Sequence, residues 1–164
     1  MYQYKLKKDE DIRLTREFVS SGGHIPHTHD FIEIAYISGG SGTHIVNDTP
    51  YPVKRGDLIF INFKEVHSYT TDKTMEFINC LISPKFISEE LINSDNALDI
   101  LKLAVFREFY DSGEIIYPQV SFSGVEKIEV ENIFNYMIAE YKRKAPGYII
   151  ILKSYVNILI AKIL

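Results

Sequence analysis

The chain has no tryptophan and a single cysteine, Cys80, among its 164 residues. One thiol cannot form an internal disulfide, which suits a reducing compartment. Its setting in the apolar run Met75 to Ile82 marks it as a core residue rather than a nucleophile. Positive charge is also scarce. With 18 Lys and Arg against 22 Asp and Glu the net charge is -4, so the chain as a whole has no field to hold it on a phosphate backbone. Long apolar runs are missing as well. The most apolar segment, Tyr148 to Leu164, carries Lys153, Ser154, Asn157 and Lys162 and falls short of the about 20 predominantly apolar residues of a membrane span. It reads as a buried helix. Met1 to Arg13 is rich in Lys and Asp and lacks the apolar stretch of an export signal. The expectation is a cytoplasmic protein with no membrane association.

What is present is an ordinary globular composition, 46% hydrophobic and 24% charged, with 11 Tyr and 10 Phe to fill a core. One domain with a helical appendage fits this length. To about residue 83 the sequence reads as short strands. Phe31 to Ile37, Thr43 to Val46, Leu58 to Asn62 and Met75 to Ile82 are rich in Ile, Val, Phe and Tyr and are separated by turn residues. Ser38-Gly39-Gly40-Ser41-Gly42 and Asn47-Asp48-Thr49-Pro50 are the clearest turns. The spacing predicts a β-sandwich or barrel.

From residue 84 to 164 the period changes to that of helices. Phe86, Ile87, Leu91, Ile92, Leu98, Leu101, Val105 and Phe109 give an apolar segment. Ser123 is an N-cap for a helix running to about Lys144, and Pro146-Gly147 breaks it before a second helix from Tyr148. That last helix is apolar on more than one face. It reaches Leu164 without a Gly, Asn or Pro stop signal, so the native chain is expected to continue.

The chemistry gathers in His27, His29, Glu33 and His67. Residues two apart in a strand share a face, so an unbroken strand would point His27, His29, Phe31 and Glu33 the same way. Imidazole and carboxylate groups are ligands for zinc, nickel, manganese or iron, and His67 from a later strand completes a set of four. No cofactor is required by this pattern. The same groups can instead line a metal-free polar pocket, hydrogen-bonding one another and a ligand. His24, on a loop, and His44, on a strand, are read as surface or rim residues. Lys54 and Arg55 read as an exposed turn.

His27-Thr28-His29, then Glu33, then Gly40 resembles the first motif of the cupin superfamily. Gly56, Asp57 and His67 resemble the second, although Asn62, Lys64 and Thr71 stand where that motif has Pro, Gly and Asn. The resemblance implies a mainly β fold with C-terminal α structure, a cupin jelly-roll barrel followed by a helical segment. Aromatic residues among the strands, Tyr36, Phe60, Phe63, Tyr69 and Phe77, are candidates to line its interior.

The helix around Ile138 to Lys144, then Pro146-Gly147-Tyr148 and an apolar helix, resembles the region that follows the sensing domain in AraC-type transcription regulators. That resemblance implies a small-molecule effector, which includes sugars, in a pocket built by His27, His29, Phe31, Glu33, Tyr36, Phe60, His67 and Tyr69. It implies a homodimer through the helices, with Ile133, Met137, Tyr141, Tyr148 and Leu152 at the interface. DNA would be reached only through a helix-turn-helix domain beyond residue 164. Met1 to Asp11 reads as a regulatory arm or a disordered tail. Two other readings stay open: a metal-dependent cupin isomerase or dioxygenase, and a non-catalytic sugar-binding cupin.

Overall fold

Short alternating runs bounded by turn residues become strands, and the three- and four-residue apolar spacing after residue 123 becomes helices. The computed structural model describes residues 2–62, 64–87 and 119–163. Its strands are β1 (Tyr2–Tyr4), β2 (Ile12–Val19), β3 (His27–His29), β4 (Ile32–Gly39), β5 (Ser41–Val46), β6 (Thr49–Lys54), β7 (Asp57–Ile61), β8 (His67–Thr70), β9 (Met75–Ile82) and β10 (Gln119–Ser121). Its helices are α1 (Pro84–Ile87), α2 (Gly124–Arg143) and α3 (Tyr148–Ile163). The strands form two five-stranded sheets, ordered β1-β3-β8-β5-β6 and β10-β7-β4-β9-β2. This is the cupin jelly roll, mainly β with helices at the C-terminal end, as the motifs imply. Beyond α1, the apolar segment through Phe109 lies outside the described residues, as does Phe63.

The second sheet is covered on both faces. Along β4, Ile32, Ile34 and Tyr36 point to one side, joined by Leu58, Phe60, Ile78 and Cys80 from its neighbours, and all pack with Phe134, Met137, Leu152 and Val156 of the helices. Ala35 and Ile37, with Ile59, Ile61 and Phe77, face the first sheet and pack on Val46, Val53 and Tyr69. Tyr36 stacks on Phe134 with ring centroids 5.4 Å apart. The expectation that Tyr36 and Phe60 line the barrel interior is therefore corrected. Parity put them on one face, and that face belongs to the helices.

The helix α2 starts after Ser123 in extended geometry and ends on Lys144, in left-handed conformation at φ 50°, whose N–H donates to the Glu140 carbonyl. Val130, Phe134 and Met137 recur at helical spacing and are buried. Leu152, Val156 and Leu159 of α3 do the same. Met137 and Leu152 have no exposed surface within one chain, so they belong to the monomer core and not to a dimer interface. Ile133, Tyr141 and Tyr148 are partly buried against that core. The outward apolar residues include Val125, Ile128 and Tyr136 of α2 and Ile149, Ile150, Ile151 and Ile158 of α3. Among the described residues no helix is long and apolar enough to cross a membrane.

Two turns fix the frame. Asn47 and Asp48, both at positive φ, join β5 to β6 with Val46 opposite Thr49, the two-residue hairpin whose twist matches the strands. Pro50 and Pro52 lie on β6, which stands at the edge of its sheet. Before β7, Gly56 has φ +100°, and a Cβ there would come within 2.7 Å of the Phe122 carbonyl. Buried Asp57 accepts hydrogen bonds from the Lys54 N–H (2.8 Å), Ser121 Oγ (2.7 Å) and Gln119 Nε2 (3.0 Å). The Gly-Asp pair of the second motif thus anchors β10, so the second half of the chain contributes a strand to the barrel.

Candidate effector and metal site

The motif strand does not run unbroken. β3 belongs to the first sheet and β4 to the second, and the chain crosses between them at Asp30-Phe31. The crossing still brings His29 and Glu33 together, with His29 Nε2 3.7 Å from Glu33 Oε2. His29 is stacked on Phe31 at 4.4 Å, and its Nδ1–H donates to the Phe31 carbonyl at 2.7 Å. A carbonyl only accepts, so the proton sits on Nδ1 and Nε2 presents a bare lone pair. That nitrogen is buried without a protein partner.

On the first sheet His67 lies directly across from His27. Its Nδ1 is 3.1 Å from His44 Nε2, and its Nε2 is buried and unpartnered. His44 is fully buried, which corrects its reading as a rim residue. The signal was present in parity: His44 and Val46 share a face of β5, and Val46 is core. His24 is half-buried at the cavity edge, as expected of a rim residue.

His29, Glu33 and His67 offer ligand atoms that all lie within 4.8 Å of one another. His27 does not join them. Its Nδ1 donates to the Ile25 carbonyl at 3.0 Å, and its ring packs edge-on against Tyr4 at 4.8 Å. Donors bound at about 2.0–2.2 Å to one ion are at most about 4.4 Å apart, so these three fit a divalent cation after a small contraction. Two imidazoles and one carboxylate suit zinc, iron, manganese or nickel. Such a cation would supply Lewis acidity or a fixed positive charge.

Burial sets the charge state of these groups without an ion. Desolvation, with Glu17 nearby, pushes the Glu33 carboxyl up to about 8. Desolvation lowers His29 to about 4, against its hydrogen bond to Phe31, and lowers His44 to about 3. His67 is held below the ordinary imidazole range by burial and by the histidines around it. At neutral pH the cluster is uncharged, and an ion would displace the Glu33 proton.

Beside the trio a cavity of about 480 Å³ opens between the sheets. Phe31, Glu33, His27, His67, Tyr69 and Phe77 line it, with Arg13, Thr15, Glu17, Asn79 and Leu81 from β2 and β9 and Tyr4 and Lys5 from the N-terminal segment. His29 stands behind Phe31, while Tyr36 and Phe60 lie across the sheet. Sequence reasoning missed β2 altogether. The alternation of Ile12, Leu14 and Arg13, Thr15, Glu17 was its signal. Thr15 Oγ1, Asn79 Oδ1 and Tyr69 Oη are buried without protein partners, and buried polar atoms in that state call for a ligand or water.

Two sheets in a jelly roll with a polar cavity between them have the architecture of a cupin. Residues 19–99 match the family of AraC-like ligand binding domains. The HTH-type transcriptional activator RhaR of Escherichia coli K12 is 33% identical over 90 residues, covering 51% of this chain and 32% of that protein. RhaR of Shigella flexneri serotype 5b matches to the same extent. The chain thus spans about a third of the length of these relatives. Among solved structures, a cupin protein from Bacteroides fragilis is 18% identical with a TM-score of 0.42, covering 45% of this chain and 67% of its own. The polyketide cyclase RemF from Streptomyces resistomycificus is 28% identical with a TM-score of 0.42, covering 44% and 55%.

Proposed function

We propose that this chain is the effector-sensing and dimer-forming part of a transcription regulator, and that the effector occupies the cavity between the two sheets. One observation carries the reading: buried, unpartnered polar atoms of Thr15, Asn79 and Tyr69 face a cavity in an AraC-like ligand binding domain. A bound molecule satisfies them. DNA reading is assigned to a segment outside this chain, because the net charge of -4 supplies no field for a phosphate backbone and the match covers only 32% of the relatives named as HTH-type activators.

Transmission runs through the N-terminal segment and the helices. β1 pairs in parallel with β3, placing Tyr4 opposite His29, and Lys5 reaches the cavity. An effector that contacts this segment favours its docked form over its free form, and such a differential affinity is all a population shift needs. The outward apolar residues Ile128, Tyr136, Ile150 and Ile158 supply the dimer face.

Thermal shifts across a panel of sugars and small metabolites test the reading, since a ligand of the folded state raises its stability. Sedimentation tests the dimer: a strictly monomeric species at high concentration sinks that part. A second reading, a metal-dependent cupin enzyme, is favoured by the His29, Glu33 and His67 trio alone. Metal content of protein purified without a histidine tag separates the two, with stoichiometric, tightly held iron or manganese pointing to catalysis.

A further inference from the structure

The floor of the cavity is a polar stripe on an otherwise apolar sheet. Cross-strand register sets Arg13 opposite Leu81 and Leu81 opposite Glu33, so these three form one row. Thr15 and Asn79 form the next row, opposite each other. Strands lie about 4.8 Å apart, which puts Arg13 roughly 10 Å from Glu33 and from the trio. The polar atoms of that adjacent row, Thr15 Oγ1 and Asn79 Oδ1, have no protein partner, and neither does Tyr69 Oη.

Charge along this stripe is uneven. Lys5, Arg13 and Glu17 line the cavity, with Arg13 and Glu17 four residues apart on the same strand, β2. Glu33 stands at the far end of the Arg13 row, beyond Leu81. Glu10 engages Arg13 through Nε at 2.9 Å and through Nη2. A guanidinium has five N–H donors, so this contact orients the group and leaves donors to spare. A side chain held in place by its own carboxylate and bordering a cavity is pre-organised to take a second anion.

We propose that the cavity accepts a small hydroxylated organic acid, with Arg13 as the specificity-determining residue that seats its carboxylate. The proposal rests on the effector reading above and adds the chemical class. The acid's hydroxyls meet Thr15, Asn79 and Tyr69, and Lys5 closes on the carboxylate from the N-terminal segment. Glu10 also accepts a hydrogen bond from Tyr141 Oη of α2 at 2.7 Å. Two residues, Arg13 and Glu10, therefore link the ligand's charge to the helical segment.

Matched pairs test this by calorimetry and thermal shift: galacturonate against galactose, glucuronate against glucose, and tartrate against threitol. In the wild-type chain the acid of at least one pair binds tenfold or more tightly than its neutral partner. In Arg13→Met that acid loses about 10–100-fold in affinity, the worth of a charged hydrogen-bond pair, while the neutral partner is unmoved. Arg13→Lys retains part of the preference. Equal binding of acid and neutral partner in the wild type overturns the carboxylate seat and leaves the effector reading standing. Binding by no pair member overturns both for this ligand class. The wild-type comparison decides even if Arg13→Met misfolds.

Discussion

His44 Nε2 and His67 Nδ1 meet at 3.1 Å in a place closed to solvent. The contact sorts the two nitrogens of His67 by task. With the proton on Nδ1 donated to His44, Nε2 keeps its lone pair for the cavity, where Glu33 and His29 converge. Tyr69 stacks on the His44 ring at 4.3 Å and holds it flat. His44 is thus a positioning residue for the candidate cation site, in the way outer partners orient metal-ligating imidazoles.

Replacing His44 by Phe keeps the stacked ring and removes the acceptor. Affinity for Co(II), followed by its visible absorption, should fall by about 10–100-fold. Unchanged affinity in His44→Phe would show that His67 orients itself.

Glu33 stores a cost that depends on pH. Its carboxyl is raised in the folded state from the ordinary 4.5 to about 8, so its contribution to stability is whole below pH 4.5 and is lost as pH rises through 8. Glu33→Gln removes that loss. The metal-free variant should match the wild type near pH 4 and melt at higher temperature near pH 8, as functional sites often trade stability for chemistry. A variant less stable at pH 8 contradicts this.

Glu10 behaves in the opposite sense. Burial works against its charge, yet hydrogen bonds from Arg13, Tyr141 and the Lys7 N–H, with the Arg13 charge, hold it down at about 2. Its contribution is present above the ordinary carboxylate value of 4.5 and fades as pH falls toward 2. Melting temperatures of the wild type and Glu10→Gln should differ at pH 6 and converge between pH 4.5 and 2.

Phe134 joins the helices to the sheet by its stack on Tyr36. Phe134→Ala should destabilise the chain by about 3–5 kcal/mol, the range for a fully buried Phe, measured by urea unfolding. A loss under 1 kcal/mol would mean that the helices add little to the barrel's stability.

Strands β4, β5, β7 and β9 were legible from their β-branched and aromatic runs, and α2 and α3 from Ser123 and Pro146-Gly147. β2 was hidden because its inward face carries Arg13, Thr15 and Glu17, which look like the solvent side of a strand and are the floor of the cavity. Parity tells which residues share a face, not which face it is. On β4 Tyr36 is three residues from Glu33, so a pocket at Glu33 puts Tyr36 on the opposite face, the one the helices cover. The sheet crossing at Asp30-Phe31 left no mark in spacing, since His29 and Glu33 converge across it. His27 and His29 each give Nδ1 to a carbonyl two residues away, yet only His29 joins Glu33 and His67, a difference of position that no motif records.

Pro50 and Pro52 lie opposite Ile45 and Thr43 on the outermost strand of the first sheet. The inward ladder is intact, so the N–H groups they lack are missing from the side that faces outward. An incoming strand would find two gaps in a row there and could not extend the sheet. At this edge the barrel is sealed against growth by strand addition.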